Sequence, residues 1–97
     1  PGEEEYAYMN RVFEGVVENI QALDRRIEAC AHGWKLERIS RVDLAILRLG
    51  AYELMAAQTP AGIAINEAVE LAKLYSGDKA PQFVHGVLGG ISRGEAQ

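Results

Sequence analysis

An all-α bundle of amphipathic helices is the architecture expected of this 97-residue chain. Three observations point to it. Apolar residues recur at spacings of three and four through most of the length. Ala, Leu, Glu and Arg, which favour helix, are abundant, against only three prolines. No strand-like alternation, internal repeat or low-complexity run offers another architecture. The length suits one domain with a modest core, because a chain of this size hides roughly 60–70% of its unfolded surface.

The elements follow in order. Tyr6, Met9, Val12, Phe13, Val16, Val17, Ile20, Leu23 and Ile27 form the stripe of one amphipathic helix, with Glu14, Glu18, Arg25 and Glu28 off it. Glu3-Glu4-Glu5 suits the positive end of its dipole, and Gly15 weakens its middle, which allows a kink near Asn19. His32-Gly33 ends it, and Trp34-Lys35-Leu36 is a connector. Ser40-Arg41-Val42-Asp43 has the form of a capping box, opening a helix that runs to about Ala57. That helix is apolar nearly all round, so it is expected to be the most buried, with Arg48 as its exception. Thr59-Pro60 reads as the cap and first residue of the next helix, whose stripe is Ala64, Ile65, Ala68, Val69, Leu71, Ala72 and Tyr75. Ser76-Gly77 stops it. Asp78 is expected to cap a last helix, with Pro81 in its first turn and Phe83, Val84, Val87, Leu88 and Ile91 on its apolar face. Gly86, Gly89 and Gly90 weaken this helix but permit close packing. The tail Arg93–Gln97 is expected to be loose.

A net charge of −4 argues against a polycation that grips nucleic acid indiscriminately. The charge is uneven, however. Residues 1–24 carry six acids and one base, whereas residues 25–48 carry six bases and three acids. That basic segment suits phosphate; a solvated helix face is the plainer reading. The lone Cys30 excludes an internal disulfide and fits a reducing compartment. No apolar run approaches a membrane span and no signal peptide is visible, so a cytoplasmic, membrane-free protein is expected. The start at Pro1-Gly2-Glu3, without a methionine, reads as a cut end.

Catalysis has no foothold. Cys30, His32 and His85 lack the spacing of a metal site, and no metal or cofactor is expected. A Cys30–His85 nucleophilic pair has nothing to activate it. The neighbouring carboxylates Glu67 and Glu70 read as a solvated helix face. What remains is polar groups on apolar helices. Arg48 needs a partner, since an unpaired buried charge costs several kcal/mol. Asp43 is poorly placed for it, and Glu53 or Glu67 are the alternatives. Phe83, close to basic side chains, would suit stacking on an unpaired base if exposed, worth roughly 1–3 kcal/mol; periodicity alone favours burying it.

Three blocks of sequence now stand out. They are Arg41-Val42-Asp43-Leu44-Ala45-Ile46-Leu47-Arg48-Leu49-Gly50-Ala51-Tyr52-Glu53-Leu54, then Ile63 through Lys73 with Asn66-Glu67 inside, then Gln82-Phe83-Val84-His85-Gly86-Val87-Leu88. In order, spacing and identity they resemble the NusB family of bacterial transcription antitermination factors. Gly15-Val16, Glu18-Asn19, Leu23-Asp24, Ile27 and Trp34 look like the family's middle helix. The resemblance implies a NusB-like helical bundle: the C-terminal subdomain plus the long helix of the N-terminal subdomain, in one domain over residues 1–97. It implies binding to single-stranded boxA RNA of ribosomal-RNA leaders, together with NusE (ribosomal protein S10), within an RNA polymerase antitermination complex. Carried over by position, the RNA-facing candidates are Glu67, Lys73, Lys79, Gln82 and Phe83. The partner-facing candidates are Asp43, Arg48 and Tyr52. Asn66 and His85 suit a structural role, tying helix ends together.

The chain departs from the family's pattern at several points. An arginine-rich segment and two helices normally precede the part seen here, so an N-terminal truncation is expected. The Tyr6–Ile27 stripe would then be uncovered, and self-association or helix exchange is expected in this form. His85 stands where the family usually has Asn, Lys79 where an acid is common, and the Met55–Thr59 connector is one residue short. Two other functions compete: the NusB-like domain of a ribosomal-RNA cytosine methyltransferase, and an interaction module without RNA binding. The Gly89-Gly90-Ile91-Ser92-Arg93-Gly94 ending reads as a terminus, which favours the antitermination factor.

Overall fold

The structure, a computed structural model, describes residues 2–95. Among them the chain forms helices α1 (Glu3–Glu18), α2 (Ile20–Cys30), α3 (Arg41–Ala56), α4 (Ala61–Tyr75) and α5 (Ala80–Ser92). One 3-10 turn, Leu36–Arg38, lies between α2 and α3, and there is no strand among the described residues.

The continuous apolar stripe of the first 30 residues is carried by two helices. Asn19 makes the break. Its side-chain amide donates to the Gly15 carbonyl at 2.8 Å, while its backbone N–H is shared between Gly15 O at 3.1 Å and Val16 O at 3.2 Å. An Asn side chain that competes for backbone acceptors in this way interrupts a helix. The two segments meet different surroundings. In α2 the stripe is core, with Leu23, Ile27 and Cys30 buried. In α1 only Gly15 is buried, and Tyr6, Met9, Phe13 and Val17 are 53–70% exposed.

Ser40 caps α3 as expected, its Oγ accepting the Asp43 N–H at 3.1 Å. Asp43 departs from the reciprocal half of the box: its carboxylate accepts a hydrogen bond from the Ser76 hydroxyl and ties the start of α3 to the end of α4. Two caps are displaced from their expected places. Pro60, rather than Thr59, is the cap of α4, its carbonyl accepting from Ile63 and Ala64 at 3.0 Å. Lys79, rather than Asp78, precedes α5, which has no side-chain cap but does carry Pro81 in its first turn.

The most buried helix is α5, not α3. Seven of its residues are buried against four in α3. Small residues on both sides account for this. The Leu88 side chain of α5 reaches within 2.6 Å of where a β-carbon on Gly50 would sit, and Cys30 Sγ within 3.1 Å of the same point at Gly90. Glycine there trades helix propensity for close approach. Leu23, Ile27, Leu47, Val84 and Leu88 are sealed at the centre; each such side chain contributes roughly 1.5–3 kcal/mol of transfer free energy.

Arg48 pairs with Asp24 of α2 rather than with Glu53 or Glu67. Nε and Nη2 donate to the two carboxylate oxygens at 2.7 and 2.8 Å. Arg48 and Glu53, five positions apart, lie on different sides of α3, and Glu53 instead accepts the Tyr8 hydroxyl of α1 at 3.3 Å. The tail is also more ordered than expected as far as Glu95, whose carboxylate pairs with Arg93 at 2.8 Å and whose N–H bonds Gly90 O at 3.0 Å. Pro1, Ala96 and Gln97, which bear the expected cut end and the end of the loose tail, lie outside the described residues.

Candidate nucleic-acid interface

A cleft of about 540 Å³ opens between the α2–α3 connector and the first turn of α5. The connector is pinned from both sides. Gly33, at φ 83°, turns the chain out of α2 in a conformation that glycine adopts without strain. Trp34 N–H then bonds Ala31 O at 2.8 Å, and Leu36 N–H bonds the Glu28 carboxylate at 3.2 Å. This fixes Trp34 on the rim, 52% exposed. Phe83, one turn into α5 and half-buried, faces it edge-on, with ring centroids 6.1 Å apart and planes at 62°. Arg38, Ser40, Asp43, Lys79 and Gln82 also line the cleft. Neither Arg38 nor Lys79 makes an ion pair with a described residue.

The cleft thus brings together Lys79, Gln82, Phe83 and Asp43 of the sequence-derived candidates. It does not include the others. Lys73 lies on α4, paired with Glu70 at 2.9 Å on a well-exposed face. Glu67 belongs to an acidic groove with Tyr8, Glu53 and Glu70, lined also by Val12, Leu49, Leu71 and Leu74. Burial pushes the Glu53 carboxyl up from its ordinary value, and the Glu67 charge adds to this, against the Tyr8 hydrogen bond. Tyr8 is pushed up as well, first by burial and then by the Glu53 charge. Arg48 and Tyr52 face the N-terminal helices: Arg48 engages Asp24 with both prongs, and the Tyr52 ring covers Gly15. Asn66 and His85 are exposed, and neither side chain makes a hydrogen bond among the described residues, so the expected tie between helix ends is not found.

Two cleft residues, Trp34 and Arg38, were not among the RNA- or partner-facing candidates. Their signal was faint: an aromatic residue in a short connector, inside the only segment where bases outnumber acids so strongly. No described group of three or more His, Cys, Asp or Glu side chains could hold a metal ion, and no described helix is long and apolar enough to cross a membrane.

The profile of the NusB family matches residues 2–93. The chain belongs to the NusB family. It is 44% identical over 88 residues to the transcription antitermination protein NusB of Clostridium novyi (strain NT), covering 90% of this chain and 66% of that protein. It is 48% identical over 86 residues to that of Sulfurovum sp. (strain NBC37-1), covering 89% and 66%. The chain therefore spans just under two thirds of the length of these relatives. A solved structure of T. maritima NusB superposes with a TM-score of 0.92 at 33% identity, over 99% of this chain and 68% of that one. The expected NusB-like bundle is thereby found. Its long N-terminal helix is represented here by the α1–α2 pair broken at Asn19.

Proposed function

We propose that this chain is a non-enzymatic, RNA-binding transcription antitermination factor of the cytoplasm, acting with NusE (ribosomal protein S10) on boxA RNA of ribosomal leader transcripts in an RNA polymerase antitermination complex. The observation that carries the RNA part is the cleft, where two cations without an ion-pair partner among the described residues share a lining with two aromatic rings on a chain of net negative charge. Cations supply the salt-dependent affinity for phosphate, and aromatic faces hold unpaired bases. In this reading Lys79, Gln82 and Phe83 contact RNA directly. Lys73 offers a further cation, and Glu67 an acceptor for a base amino group. Asp43, Arg48 and Tyr52 serve the protein partner. The name carried by the relatives, transcription antitermination protein NusB, favours this over a methyltransferase domain.

Filter binding of a boxA oligonucleotide, with and without NusE, tests the proposal. Binding strengthened by NusE and weakened by Phe83→Ala and Lys79→Ala is expected. If NusE binds but RNA is retained in neither case, the chain is an interaction module without an RNA role.

The exposed α1 stripe supports a second element, self-association of the chain in this form. Four large apolar side chains on one helix face, Tyr6, Met9, Phe13 and Val17, form a strip of the kind that marks an interaction surface. Sedimentation over a range of concentrations should show dimers or larger species, reduced by Phe13→Asp; a monomer at every concentration removes this element.

A further inference from the structure

We propose that Trp34 and Phe83 form a two-ring pocket for one nucleobase of a single-stranded RNA, with Arg38 and Lys79 holding the phosphates on either side of it. This rests on the RNA-binding reading above and assigns the base-holding part of it to a residue outside the sequence-derived candidates.

Trp34 is 52% exposed although it stands in a connector pinned at both ends, so its indole is held out of the core rather than left there by a loose chain. The Phe83 ring stands 6.1 Å away and inclined at 62°. A planar base laid on either ring meets the other edge-on, an arrangement favoured by the aromatic quadrupole. The surrounding polar groups suit a nucleotide better than an apolar side chain of a protein. Arg38 and Lys79 bring positive charge, and neither makes an ion pair with a described residue. The Gln82 amide offers a donor and an acceptor to a base edge. Base-on-aromatic stacking tolerates any base, so the pocket sets affinity and register more than sequence.

Trp34 is the only tryptophan of the chain, so its fluorescence reports on this pocket alone. The experiment follows two signals together: Trp34 emission of the unlabelled protein, and anisotropy of a short, dye-labelled single-stranded RNA. RNA should quench Trp34, while an abasic oligonucleotide of equal length should bind more weakly without quenching. Trp34→Ala should weaken RNA binding about tenfold, within the range for one lost stacking contact, and Trp34→Phe should restore most of it. Removing Arg38 and Lys79 together should lower the slope of log affinity against log salt by roughly 1.4, two phosphates at about 0.7 each on a single strand. Circular dichroism checks that each variant keeps its helices. Tight RNA binding with unchanged Trp34 emission and no effect of Trp34→Ala overturns the pocket and leaves the RNA reading standing. No anisotropy change with any RNA overturns both. Quenching by the protein partner but not by RNA makes the cleft a protein-docking site and overturns the proposal.

Discussion

The ring of Tyr52 occupies the space that a β-carbon on Gly15 would need, so α3 and α1 meet where one residue has no side chain. Gly15→Ala therefore has two opposed effects. It improves helix propensity by about 1 kcal/mol, and it drives the Tyr52 ring off α1, an overpacking cost of roughly 1–3 kcal/mol. A net loss of about 1 kcal/mol is expected in urea denaturation. In a Tyr52→Ala background the same change should become stabilising. If the sign stays the same in both backgrounds, the contact is not what holds this glycine.

Asp24 and Arg48 form the one two-pronged ion pair of the described structure, with side chains 22% and 27% exposed. Geometry of this kind is stronger than a surface pair. A double-mutant cycle with Asp24→Asn and Arg48→Met should give a coupling of about 1–2 kcal/mol. Coupling within error of zero would show the pair to be an ornament of the surface.

How far the sequence foretold these contacts depends on their reach along the chain. Ser40 with Asp43, the stop at His32-Gly33 and the core stripe of α2 are local, written in spacings of three and four, and the structure has them. Arg48's need for a partner was legible, but its identity was not, because Asp24 lies 24 positions away and is chosen by how α2 crosses α3. The burial of α5 was misjudged for a related reason. The long apolar run of α3 suggests the more buried helix, but α3 also carries Arg41, Asp43, Arg48 and Glu53 where α5 carries no charge, and the close backbone approach at Gly50 and Gly90 seals α5 further. At the cleft, Gln82 and Phe83 came from one continuous block, with Lys79 just before it. Trp34 and Arg38 join them only through the turn at Gly33.

The Glu53 carboxyl is pushed above its ordinary value by burial and by the Glu67 charge. An acid with a raised folded-state value supports the fold while protonated, and that support is lost as pH rises through the folded value. At neutral pH the ionised Glu53 therefore opposes folding. Glu53→Gln should raise the urea midpoint at pH 7 by the equivalent of less than about 1 kcal/mol, given solvent screening at this half-buried site. The gain should shrink as pH falls through the raised folded value and be gone below the ordinary Glu value, about 4.3. A gain that is independent of pH would point to packing rather than charge.

Cys30 is 5% exposed, its sulfur lies against Gly90, and burial raises its thiol above the ordinary value, with the Glu95 charge adding to the effect. A buried thiol whose ionisation is disfavoured is a poor nucleophile. Alkylation by iodoacetamide at pH 8 should be far slower in the native protein than in urea, with a rate that follows global unfolding. Fast native labelling would show that α5 opens from α2 on its own.

The break at Asn19 separates two levels of local stability. Only one residue of α1, Gly15, lies in the interior, whereas α2 is anchored by Leu23, Ile27 and Cys30. Most of α1 can thus detach from the rest at little cost in buried area, with Asn19 as the pivot. The consequence is a protein with two exchange regimes. Backbone amides before Gly15 should trade protons with solvent by a sub-global opening, while those of α2, α3 and α5 wait for the whole molecule. Anything that settles on α1, whether another chain or a ligand, would merge the two regimes into one cooperative unit.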